Sequence, residues 1–182
     1  MICLKTFLTT IMNFEGLYKT MNIEQPEYCT GSGIIIYLDN TELYFPDLKQ
    51  DILYLFLECN GEIIKKYKNM LDFPKGAIDK GEFSLDCAIR ETEEEIGFSI
   101  NDYDLLENND EYCKMECGRG LIMYLAKINN DCVGNAKLTV NPKTKILEHS
   151  GYFWAPYQTN VKNLPRYLQK SLNWAHNILT NF

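Results

Sequence analysis

Residues 76–98 read GAIDKGEFSLDCAIRETEEEIGF, and the spacing inside this stretch decides how the rest of the chain is read. Arg90, Glu91, Glu94 and Glu95 fall in one short run. Gly76 and Glu82 precede it at fixed distances, and Gly97 closes it. Neighbours three and four apart on a helix share a face, so Glu91, Glu94 and Glu95 point the same way. Three carboxylates on one face repel one another. They make sense as a set of hard oxygen ligands around divalent cations, for which Mg2+ or Mn2+ is the natural choice. The helix is expected to begin at Ser84 as its N-cap, with Asp86 in the first turn. Leu85, Ala88, Ile89, Thr92 and Ile96 form its inner stripe, and Gly97 stops it.

Outward from this helix the chain alternates apolar runs with turn signals. Residues 31–38, GSGIIIYL, and 52–58, ILYLFLE, read as buried strands. Residues 39–50 between them read as a loop, and Asn60-Gly61 is a turn signal. Residues 71–73 form a short extended piece, because Pro74 biases its predecessor away from helix. Residues 121–128, LIMYLAKI, are a further strand, 137–140 a short one and 151–154 another. Residues 165–179 read as a terminal helix with Leu168, Leu172, Ala175 and Leu179 on one face. Strands, helix, strands, helix implies an α+β or α/β layered domain with helices packed on mixed strands. One domain is expected over 29–182, with 1–28 as an N-terminal extension.

The chain has 182 residues, is 46% apolar and carries a net charge of −7. That is enough for one ordinary core and argues against a broad basic surface, so DNA is not an expected partner. A small basic pocket is still compatible with it. The seven cysteines show no framework-like spacing. Cys113 and Cys117 could supply half of a metal site, but no second cysteine pair follows at zinc spacing and neither His149 nor His176 is near. Reduced thiols and a cytoplasmic location are expected. The opening MICLKTFLTTIMNF is too short and interrupted for a membrane span, and it shows no small-residue cleavage site.

The 76–98 segment resembles the signature of the Nudix hydrolases: Gly, five residues, Glu, seven residues, then Arg-Glu-U-x-Glu-Glu-x-Gly-U, with U bulky and apolar. Gly76, Glu82, Arg90, Glu91, Glu94, Glu95 and Gly97 fall in register. Thr92 and Phe98 depart at the two U positions, away from the charged residues. So many fixed positions at set spacing form a specific signal. The resemblance implies a Nudix-type α/β/α sandwich with a mixed β-sheet. It also implies that Glu91, Glu94, Glu95 and the carbonyl of Lys75 hold Mg2+ or Mn2+, and that Arg90 pairs with Glu82 to brace the loop on the helix. Glu93 reads as a solvated surface charge. The general base is expected to be Glu94 or Glu95, or Glu148 outside the signature.

Phe73-Pro74-Lys75-Gly76 narrows the substrate, since Lys75 is placed to contact phosphates as a point charge. Two groups within the family share the Pro-Lys-Gly. The chain resembles the asymmetrical diadenosine tetraphosphate hydrolases in Arg90-Glu91-Thr92 and in Glu148-His149-x-x-Tyr152-x-Trp154, with gaps from about Cys29 to Leu179. It resembles messenger-RNA decapping enzymes in 73–76, 87–91 and 97–103. Those enzymes carry a preceding helical regulatory domain and a basic helix for RNA, where the terminal helix here offers only Arg166 and Lys170. The resemblance therefore ranks a small nucleoside polyphosphate first, with diadenosine tetraphosphate cleaved to ATP and AMP. Capped RNA, with release of m7GDP, comes second, and a diphosphoinositol polyphosphate third. Adenine needs an aromatic clamp, and the candidates are Tyr152, Tyr124 and Tyr157, Tyr152 being favoured. His149 is a candidate to bond a phosphate or to orient Glu148; His176 reads as structural. A catalytically inactive nucleotide-binding module would be expected to have lost one of the signature glutamates, and all are present.

Overall fold

The computed structural model describes residues 29–42, 51–61, 68–118 and 120–181. The N-terminal extension expected over 1–28 lies outside the described residues, as does most of the expected 39–50 loop. Strands β1 (Gly31–Asp39), β2 (Ile52–Cys59), β9 (Leu121–Ile128) and β10 (His149–Pro156) build the body of a mixed sheet. With β5 (Tyr103–Leu105) its order is β10-β2-β1-β9-β5. β1 runs parallel to β9 and antiparallel to β2, and β10 runs antiparallel to β2. Three short strands extend the sheet: β3 (Leu71–Asp72) on β2, β4 (Lys75–Ala77) on β1 and β8 (Lys114–Cys117) on β9. A separate hairpin pairs β6 (Glu107–Asn108) with β7 (Glu111–Tyr112).

The unbroken apolar runs of β1 and β2 follow from burial on both faces. Ile34, Ile36, Leu38, Leu53, Leu55 and Leu57 point into one core, which helix α1 (Ser84–Ile96) closes with Leu85, Ala88 and Ile96. Ile35, Tyr37, Tyr54 and Phe56 point into the other. Helix α3 (Arg166–Thr180) covers that core with Leu168, Leu172 and Ala175, each fully buried. Each such leucine contributes about 1.5–3 kcal/mol by leaving water. The result is the α/β/α sandwich, with the short helix α2 (Tyr157–Asn160) leading from β10 toward α3.

Four expectations need correction. Ser84 is the first helical residue and not the cap. Phe83 occupies the cap position with no side-chain cap bond, and the Ser84 hydroxyl is spent on the Tyr124 hydroxyl at 2.8 Å. Residues 137–140 form no strand, because their amides are used on the end of α1: Lys137 N donates to Ile96 O at 2.8 Å and Thr139 N to Glu95 O at 3.4 Å. β10 is longer than 151–154. Finally, β4 to β8 are short strands in stretches expected to connect the longer elements.

Candidate active site

The site is built where β4 meets α1. β4 pairs with the start of β1, Ser32 opposite Gly76 and Gly33 opposite Lys75, which fixes the loop against the sheet. Gly76 leaves room for the Glu91 carboxylate: a β-carbon there would land on it and force that side chain to move. At the other end of α1, Gly97 adopts φ 77° and turns the chain back, its amide donating to Glu93 O at 3.1 Å.

Arg90 holds the loop to the helix as expected. Its Nε donates to Glu82 Oε1 at 2.7 Å and its Nη2 to Glu82 Oε2 at 3.0 Å, a two-pronged clamp. Nη2 also donates to Ala77 O at 3.1 Å, and Nη1 reaches Glu91 Oε1 at 2.5 Å and Glu94 Oε2 at 3.4 Å. The Arg90 guanidinium holds the Glu82 carboxyl below the usual carboxylate range.

Glu91, Glu94, Glu95 and Glu148 converge on one small cleft, together with Thr139, Asn141 and His149. The three signature glutamates of the cleft are recessed, with Glu91 and Glu95 only 11% and 10% exposed, whereas Asp86 and Glu93 of the same helix face solvent. Burial pushes the Glu95 carboxyl well above its ordinary range, with Lys75 opposing and Asp72, Glu91 and Glu148 adding to the rise. Glu91 is raised by burial as well, against the pull of Arg90. Clustered hard oxygen donors whose negative charge is this poorly compensated fit a divalent cation.

The supporting residues were only partly legible. Glu148 ends the loop before β10, and its Oε1 accepts from Asn141 Nδ2 at 2.6 Å. Its backbone carbonyl accepts from Asn60 N at 2.9 Å. Asn141 in turn organises the 141–145 turn by accepting from Lys143 N and Thr144 N through Oδ1. Lys143 ties that turn to the signature loop through Asp79 at 2.7 Å. The Thr139 hydroxyl donates to the Glu94 carbonyl. The Asn141-Pro142 dipeptide is a turn signal that could have pointed here.

His149 is buried and faces Glu95, with Nδ1 3.9 Å from Oε2, and it lines the same cleft as Glu148. Burial pushes its pKa down to about 4, which leaves the ring neutral. Lys75 is half-buried, not solvent-facing. Its amide donates to Glu95 Oε2 at 3.3 Å, and its Nζ pairs with Asp72 at 2.6 Å. Burial opposes that charge, but Asp72 and Glu95 outweigh it and raise the Lys75 pKa.

The aromatic candidates separate. Tyr124 is fully buried under Ser84, and Tyr157 stacks on His176 with centroids 4.1 Å apart, so neither is available as a clamp. Tyr152 packs half-buried against the core beneath α1 and does not line the glutamate cleft. A second groove of about 300 Å³ runs past Lys75, Gly76, Leu121 and Tyr167, an aromatic residue the sequence reading missed. His176 is structural, its Nδ1 3.0 Å from the Tyr54 hydroxyl. The six described cysteines form no disulfide, and Cys117 bonds Ser171, not a partner Cys113. No described helix is long and apolar enough to cross a membrane.

Comparison with known proteins agrees with this fold. The family model for the NUDIX domain matches residues 47–174. Among solved structures, an Ap4A hydrolase from C. elegans in a binary complex superposes with a TM-score of 0.61 at 21% identity, covering 84% of this chain and 99% of that one. RenU, a Nudix hydrolase from M. smegmatis, superposes with a TM-score of 0.59 at 10% identity, covering 85% and 88%. Among curated proteins, the mRNA-decapping enzyme subunit 2 of Saccharomyces cerevisiae is 58% identical over 31 residues. That match spans 17% of this chain and only 3% of the yeast protein. With the signature in register, the glutamates gathered in one cleft and the family model matched over most of its length, this chain belongs to the Nudix hydrolase family.

Proposed function

We propose that the protein hydrolyses a phosphoric anhydride bond of a nucleoside polyphosphate, with diadenosine tetraphosphate, cleaved to ATP and AMP, as the leading substrate. The observation that carries this reading is the convergence of Glu91, Glu94, Glu95 and Glu148 on one recess. Glu91, Glu94, Glu95 and the Lys75 carbonyl would hold Mg2+ or Mn2+. When bound, such ions neutralise phosphate charge and make water a better nucleophile. The chain's own residues do the rest. Arg90 and Glu82 keep the loop on α1, so that the carboxylates stay at fixed separation. Glu94, Glu95 and Glu148, which line the same cleft, are the candidates to take the proton of the attacking water. His149, neutral beside Glu95, is suited to bond a phosphate oxygen. Lys75 also lines the second groove, where Tyr167 offers a base an aromatic wall; Tyr152 is the other stacking candidate.

Capped RNA is the second reading, favoured by the 31-residue match to the yeast decapping enzyme. Against it stand the net charge of −7 and a terminal helix whose basic residues are Arg166 and Lys170. A panel of diadenosine polyphosphates, capped RNA and diphosphoinositol polyphosphates, each with Mg2+ and with Mn2+, separates the readings by product mass. ATP plus AMP supports the first. Release of m7GDP with inert dinucleotides would replace it with the second.

A further inference from the structure

We propose that Cys59, Asp72 and His149 form a second cation site, bordering the glutamate cluster through His149, that selects a thiophilic divalent ion of the zinc class. Three neighbouring strands bring the residues together. Cys59 at the end of β2 stands directly opposite His149 at the start of β10. Asp72 on β3 stands opposite Leu57, two residues along β2 from Cys59 and so on the same face. One ligand atom from each lies within 4.8 Å of the other two. Tetrahedral zinc, with bonds of about 2.0–2.3 Å, needs such atoms about 3.3–3.8 Å apart, a contraction that small side-chain rotations supply.

The donor set decides the ion. A thiolate, an imidazole and a carboxylate suit zinc, whereas magnesium takes oxygen alone. Three protein ligands leave a fourth position for water. The His149 imidazole offers a ring nitrogen as one of the three donors. On binding, the Cys59 S–H bond breaks as the metal–sulfur bond forms, and the proton leaves to solvent. The path is open, because Cys59 lines a groove of about 880 Å³ along with Asn60, Leu71 and Ser150.

Lys75 is the internal rival. Its ammonium occupies Asp72 at 2.6 Å, so an incoming ion must displace it. Occupancy then couples to the glutamate cleft, since Lys75 and His149 both border Glu95.

The test uses the full chain, freed of metal and saturated with Mg2+. Zn2+ is titrated by calorimetry, and Co2+ serves as the optical probe. One Zn2+ per chain is expected, together with a sulfur-to-cobalt charge-transfer band. Cys59→Ser and His149→Gln should weaken zinc by at least the ~10–100-fold that losing even a supporting partner of a metal ligand costs. Lys75→Met should tighten it, and Glu94→Gln should leave it unchanged. A cobalt adduct of the unaltered protein without the sulfur band would overturn the site with no variant needed. Zinc affinity that survives Cys59→Ser, or no binding in the presence of Mg2+, would do the same. None of these three outcomes decides whether the protein hydrolyses a nucleoside polyphosphate, which the substrate panel tests separately.

Discussion

Gly76 shows how one missing side chain shapes the site. Its neighbour in space is the Glu91 carboxylate, which occupies the volume a methyl group would need. Gly76→Ala should therefore displace Glu91, cost about 1–3 kcal/mol by overpacking and lower turnover by about 100-fold through misplacement. Steady-state kinetics alongside urea unfolding checks both effects; unchanged turnover would show that Glu91 is not needed where it sits. Arg90→Lys should fail to restore the clamp, because an ammonium cannot reproduce the paired bonds to Glu82. A loss of about 1–3 kcal/mol in unfolding free energy is expected. At this scale the signature residues were legible because their spacing is set by the helix. Asp72 beside Lys75 was not, since three residues across Pro74 in an extended chain carry no contact rule. Nor was Asn141 beside Glu148, which depends on a turn closing.

Residues 137–140 illustrate a contest between elements. Their sequence, KLTV, alternates like a strand. The last carbonyls of α1 need donors, and this segment supplies them through Lys137 N, Thr139 N and the Thr139 hydroxyl. Thr139→Val should remove the hydroxyl's share, about 0.5–1.5 kcal/mol, and loosen Glu94 with it. A drop in stability with a matching fall in kcat is the expected result; loss of stability alone would show that Glu94 does not depend on this cap. The β6–β7 hairpin was missed for a different reason. Asn109 and Asp110, at φ 52° and 64°, make its two-residue turn, but its strands are short and exposed, so no apolar alternation announced them. The long strands and both sandwich helices were legible because burial on both faces of a sheet, or on one stripe of a helix, writes itself into residue spacing.

Across the molecule, the sheet separates two cores and α3 seals the second through His176 as well as its leucines. His176 stacks on Tyr157 and meets the Tyr54 hydroxyl, and burial holds its pKa below the ordinary value. The unfolded chain therefore takes up a proton first as pH falls below about 6.5, and stability declines from there downward. Urea midpoints should fall less steeply between pH 7.5 and 5.5 in His176→Phe than in the unaltered protein; equal slopes would show that this ring titrates normally. The layered architecture was within reach of the order of elements, while the choice of α/β/α came from the family resemblance. Composition and periodicity alone do not fix which faces the helices take.

Magnesium-dependent cleavage of diadenosine tetraphosphate, compared between the unaltered protein and a folded Glu95→Gln variant, tests this account most directly. The expected result is ATP and AMP from the first and turnover lowered on the order of 10²–10³-fold in the second, the scale of removing one electrostatic stabiliser. Near-normal turnover in the variant, or hydrolysis indifferent to removal of divalent cations, would contradict it.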